Sequence, residues 1–283
     1  MGRFQNSLAL AKASLQVLRD DKQLTLLPLL SGIATIVVAA SFFIPAALVA
    51  HDGATGGFTM QPLDWVLALA GYLVLTFIVV FFNAALVYAA DRHLHGEHVT
   101  IGEAISAAAS RSRILLPWVL VSATVSLILR AVEQRAGVVG RIVAAFAGVA
   151  WSVVTFLVLP ILVVEGIGPI AAVKRSGELF KKTWGENLIA NAGIGLVTFL
   201  AAIAGLIPIG LLFLAGGPVA VVAAGLAIVW LVTVSLVSAT LTGILQTALY
   251  RFATGEQVPG FPEAELRSTF RVRSAQGPRG IIG

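Results

Sequence analysis

Residues 165–187 read EGIGPIAAVKRSGELFKKTWGEN, the longest charged interruption between the apolar segments of this chain. With Pro169 at the first helical position, Ile170, Val173, Gly177, Phe180 and Trp184 fall on one stripe of a helix, and Lys174, Arg175, Glu178, Lys181 and Lys182 fall off it. A basic amphipathic helix between long apolar runs is the pattern of a segment lying along a membrane surface. The pairs Lys174–Glu178 and Glu178–Lys182 are spaced one helical turn apart and contribute only about 0.2–0.5 kcal/mol each, so the apolar stripe carries the attachment.

Composition agrees with that reading. Of 283 residues, 58% are hydrophobic and 12% charged, whereas roughly a quarter of an ordinary soluble domain is charged. The chain has too little polar surface to cover a water-soluble fold of its length, so its solvent is lipid. There is no cysteine, which removes disulfides, thiolate nucleophiles and Cys-ligated zinc. The net charge of +5 comes from basic residues flanking apolar runs, which fits a membrane surface and not nucleic acid.

Outward from residues 165–187, the sequence predicts an all-α polytopic bundle of six spans, at about 24–50, 65–90, 114–130, 142–164, 187–214 and 219–250, in a single domain over 1–250 with a polar cytoplasmic tail over 251–283. Residues 4–19 form a further amphipathic helix, and the first span is expected to stay in the mature protein because its apolar run is too long for a signal peptide. The third span is the shortest, bounded by Arg113 and Arg130, and Pro160 predicts a kink near the end of the fourth. With both termini cytoplasmic, sixteen of the nineteen Lys and Arg lie inside; Arg130, Arg135 and Arg141 are the contrary signal.

The ends of the second and sixth spans share R-x-x-x-G-E, at Arg92–Glu97 and Arg251–Glu256, and the fourth ends in the reversed pair Glu165-Gly166. The arrangement reads as three units, 1–98, 99–168 and 169–260, each a surface helix followed by two spans. Mitochondrial carriers also have three two-span units, but their proline-acid-basic signature is missing.

Candidate sites are sparse. Lys174, Arg175, Lys181 and Lys182 are placed to meet anionic lipid headgroups. Asn83, Asn187, Asn191 and Gln246 lie along the spans, where polar groups serve as interhelical hydrogen bonds or line a path for solute; the packing role is preferred. Asp91, His93, His95, Glu97 and His98 are the densest set of potential metal ligands. His93-x-x-x-Glu97-His98 misses the H-x-x-E-H pattern by one residue, and a polar loop is expected there, so the reading adopted is no metal and no cofactor. No nucleophile elbow, zinc-protease motif or phosphate loop occurs, so no enzyme is expected.

The chain resembles a family of prokaryotic six-span membrane proteins defined only as a domain of unknown function. The likeness lies in Gly2-Arg3-Phe4-x-Asn6-Ser7 with Val17-Leu18-Arg19, and in Glu165-Gly166-x-Gly168-Pro169 followed by Lys174-Arg175-Ser176 and Trp184-Gly185-Glu186-Asn187. The resemblance implies a prokaryotic plasma membrane and the same topology, and brings no activity. In layout alone the chain is also similar to the membrane domain attached to some glycerophosphodiester phosphodiesterases. The function expected is a lipid-interacting or partner-binding membrane scaffold; the alternative is a passive channel or permease, suggested by Pro28, Pro45, Pro160 and Pro208 within polar-dotted spans. A protein partner and the oligomeric state are left open.

Overall fold

The computed structural model describes residues 3–51, 62–135, 137–184, 193–214 and 217–261, and every regular element in them is helical. In chain order these are α1 (Arg3–Asp20), a 3-10 turn (Lys22–Thr25), α2 (Leu26–His51), α3 (Pro62–Leu94), α4 (Ile101–Ser110), α5 (Ser112–Arg135), α6 (Val138–Val154), α7 (Val158–Val164), α8 (Pro169–Trp184), α9 (Gly193–Phe213) and α10 (Gly217–Thr254). Five stretches among the described residues are long and apolar enough to cross a membrane: Gln23–Phe42, Trp65–Leu94, Ser112–Arg135, Gly140–Val164 and Val219–Thr254, with a shorter apolar stretch, Ala201–Gly210, in α9. Ile36, Phe146 and Val221 are 70%, 73% and 73% exposed. Side chains of that kind need lipid around them, so this is a membrane-embedded helical protein.

Helices α3 and α10 pack on each other and gather most of the rest: α2, α4, α5 and α7 lie against α3, and α1, α8 and α9 against α10, while α6 packs on α5 and α8. The tightly packed core sits at one end, where the C-terminal halves of α3 and α10 meet α5 and α7; Leu86, Leu115, Ile161, Ile244 and Leu249 are all fully buried there. Small residues let the helices close up. At Gly243 a Cβ would stand 2.6 Å from Leu86 Cδ2, and at Gly205 it would run into the ring of Trp230. Ser235 and Ala239, on the same small-residue stripe as Gly243, remain exposed.

The short helices cover this packed end with small residues inward: Ala13, Ser14 and Val17 on α1, Ala104 and Ala108 on α4, Ala172 and Ser176 on α8. Helix α4 opens with a capping box, in which the Thr100 amide and hydroxyl bond the Glu103 carboxylate, each at 2.8 Å. Those two donors hold the Glu103 carboxyl below its usual range.

Several boundaries differ from the sequence reading. The third apolar segment is not cut short at Arg130: α5 continues to Arg135, and its 24 residues reach about 36 Å, enough for the hydrocarbon core. A charge near a span end does not stop a helix, because a long side chain extends to the interface. Helix α8 docks on the bundle through Ala172, Ser176, Leu179 and Phe180, whereas the sequence reading laid its apolar stripe on the membrane surface; of that stripe Phe180 is buried and Ile170 is 79% exposed. Large side chains marked the stripe in the sequence, but alanine and serine allow the closer approach. Helix α10 runs past Tyr250 to Thr254, and Val258 and Phe261 pack into the core. Asn187, Asn191, the side chain of Trp184, the Gly2 end of the opening motif and the tail from 262 lie outside the described residues.

The break in the fourth apolar segment comes before Pro160. Helix α6 stops at Val154, residues 155–157 form a turn, and α7 begins at Val158. Proline has no amide hydrogen, and its ring crowds the carbonyl four residues back, that of Phe156. In an apolar interior that carbonyl needs another donor. The Gln246 side-chain amide of α10 supplies it. Gln246→Leu is therefore expected to lower stability by about 1–3 kcal/mol, and to cost less than half of that in a Pro160→Ala background, where the missing amide is restored. Unfolding of the four proteins in one detergent gives the coupling, and an equal loss in both backgrounds would contradict the assignment.

Candidate functional site at the charged end of the bundle

Helices α3 and α10 end in the same way. Gly96 and Gly255 take positive φ angles of 79° and 91°, which glycine adopts without strain. The amides of Glu97 and Glu256 each return to an arginine carbonyl, Arg92 and Arg251, at 3.0 Å, while those of Gly96 and Gly255 donate to His93 and Phe252 at 2.9 and 3.1 Å. These are the paired bonds of a Schellman cap. The cap folds each glutamate onto its arginine: Arg92 Nε lies 3.2 Å from Glu97 Oε2, and Arg251 Nη1 lies 2.8 Å from Glu256 Oε2.

Arg251 does more than close its own helix. Its side chain is 4% exposed, and Nε donates to Asp91 Oδ1 of α3 at 2.9 Å. Its Nη2 donates to the His95 ring, whose Nδ1 in turn donates to the Asp91 carbonyl at 2.9 Å. One guanidinium thus joins two helices 160 residues apart in sequence. A second junction forms at Glu165, where α7 ends. Its Oε1 accepts from Arg175 Nε of α8 at 3.2 Å and from the Tyr250 hydroxyl of α10 at 3.1 Å. Arg92 and Arg111 also lie against the Tyr88 ring, 5.7 and 5.6 Å from its centroid.

The sequence-derived candidates separate on this end. Lys174, Lys181 and Lys182 are exposed on α8, whereas Arg175 is tied to Glu165. Asn83 is half-buried on α3, and Gln246 is bonded to Phe156. The histidines divide: His95 joins Arg251, while His93 and His98 face Asp21 at the end of α1. Sequence reasoning placed Asp91 among metal ligands and missed its pairing with Arg251, and it gave Asp21 and Tyr250 no role. The R-x-x-x-G-E pattern marked both arginines, but only the meeting of α3 with α10 selects Arg251 for burial.

Comparison with protein families matches residues 63–260 to a family of unknown function, DUF6159. The chain belongs to that family. The part that matches DUF6159 contains both Schellman caps, Asp91 with Arg251, and the whole 165–187 stretch, and begins after α1 and α2. Comparison with curated proteins gave no match, and comparison with solved structures gave none.

A buried charge whose partner is removed costs more than the pair contributed. Asp91→Ala or Arg251→Ala is expected to lower stability by about 3–5 kcal/mol, while the exchange Asp91→Arg with Arg251→Asp recovers part of the loss. Thermal unfolding in detergent reads both; single variants that melt with the parent chain would remove this pair from the account of the fold.

Proposed function

We propose that this DUF6159 protein is a six-span, non-enzymatic scaffold of a prokaryotic plasma membrane, with both termini cytoplasmic and its charged end at the cytoplasmic headgroups. The observation that carries the reading is the way α8 sits. Its small-residue face is docked on the bundle, and Lys174, Lys181 and Lys182 stay exposed beside the ion-pair end, without an acidic partner among the described residues; the pairs with Glu178 that the spacing allows are not formed. Unpaired cations at that level favour anionic lipid by about 1 kcal/mol each. The crossing added to the five long apolar stretches, fifth in chain order, is α9, whose 21 residues reach about 30 Å.

In the division into three units of one short helix and two spans, side-chain placement as well as order supports the likeness of the first unit to the third. In α1, Lys12-x-Ser14-x-x-Val17-Leu18-Arg19 buries Ser14, Val17 and Leu18; in α8, Lys174-x-Ser176-x-x-Leu179-Phe180-Lys181 buries Ser176, Leu179 and Phe180. The matching caps of α3 and α10 support the same division. A passive solute path, the competing reading, needs polar side chains free to line it. Gln246 is committed to Phe156, Thr198 to Ser238, and Thr240 and Thr247 to carbonyls of their own helix.

The test compares the protein in nanodiscs of phosphatidylglycerol and of phosphatidylcholine. The native chain is expected to melt several degrees higher in the anionic lipid, and Lys174→Gln, Lys181→Gln and Lys182→Gln together to erase most of that difference. Equal melting in both lipids, or a difference that survives the triple substitution, refutes the headgroup role.

A further inference from the structure

We propose that Asp21, His93 and His98 bind one divalent first-row transition ion of the zinc class. Their ligand atoms all lie within 4.8 Å of one another, with His93 Nδ1 3.8 Å from Asp21 Oδ2. A tetrahedral ion with ligand bonds of about 2.0–2.1 Å holds its donors roughly 3.3 Å apart, so the set closes when its separations shorten by up to about 1.5 Å. Two imidazoles and one carboxylate suit zinc and its neighbours better than calcium or magnesium, which take oxygen donors.

The fold brings the three together for local reasons. The Gly96 cap reverses the chain, so that His98 returns to His93 with ring centroids 5.8 Å apart and planes at 72°. Asp21 follows α1 and caps the 3-10 turn, and its Oδ1 accepts the Gln23 amide at 3.0 Å, which fixes the carboxylate and leaves Oδ2 towards the histidines. The Asp21 and His93 side chains are only 13% and 16% exposed.

The second observation is an orphaned atom. His93 Nδ1 is buried without a hydrogen-bond partner, and its distance to Asp21 is too long for a hydrogen bond. A buried polar nitrogen without a partner is costly, and a metal ion satisfies it together with the second carboxylate oxygen. Three protein ligands leave a fourth position at exposed His98 open to water or an exogenous donor. The bound ion would tie the turn after α1 to the end of α3.

The full chain in detergent, stripped with a chelator, is titrated with Co²⁺ and Zn²⁺ and followed by visible absorption, calorimetry and metal content. One ion per chain, the visible band of low-coordinate cobalt and a higher melting temperature with Zn²⁺ are expected. His98→Gln changes an exposed side chain, and Asp21→Asn keeps a residue able to cap the following turn; each is expected to weaken binding at least about tenfold. His51→Gln, remote in sequence on α2, is expected to bind as the native chain does. Substoichiometric binding, affinity unmoved by His98→Gln and Asp21→Asn, or an equal loss in His51→Gln overturns the site.

Discussion

The guanidinium of Arg251 is buried at the end of a long apolar helix, and that is tolerable only because its donors are met. Asp91 takes Nε, Glu256 takes Nη1 and His95 takes Nη2. A buried ion pair of this kind gives little net stability over an apolar replacement, yet it admits one register, since sliding α10 along α3 would leave two opposite charges without partners. The small-residue contact of Gly243 with Leu86 lies two turns away on the same interface and depends on that register.

Packing follows a gradient set by the surroundings. At the charged end, α1, α4 and α8 cover the bundle and the core is closed. Along the other halves of the long helices, leucine, isoleucine and phenylalanine remain exposed, because lipid chains are as apolar as the side chains and give helices no hydrophobic reason to close on one another. What association remains there comes from close approach, as at Gly205 with Trp230, and from single polar contacts such as Thr198 with Ser238. The Phe156 carbonyl obeys the same rule: where proline removes a backbone donor inside an apolar layer, a side chain from another helix must replace it.

This distribution of charge bears on the proposed scaffold role. Arg175 and Arg251 are used to hold the molecule together, and so are the acids they meet. The lysines of α8 are not, and they are what the molecule offers to an anionic surface. The histidines divide on the same principle, with His95 absorbed into the Arg251 junction and His93 and His98 left facing Asp21.

Membrane residence, the helical class and the approximate limits of the apolar segments were legible in the sequence, because hydrocarbon forces each crossing to satisfy its own backbone and hydropathy records that locally. The repeated R-x-x-x-G-E was legible too, as a sign of repetition, and the Schellman caps it builds are local, each spanning six consecutive residues. So was the interruption that Pro160 brings to the fourth apolar segment. The docked face of α8, the partners of Gln246 and Asp91, and the neighbours of His93 were not. Each of these depends on a residue from another helix, up to 160 positions away, and a short-range pattern carries no record of which helix will stand alongside. The chain's own periodicity determined what it is made of and where it lives; contact between helices decided which of its charges are structural and which are left to bind.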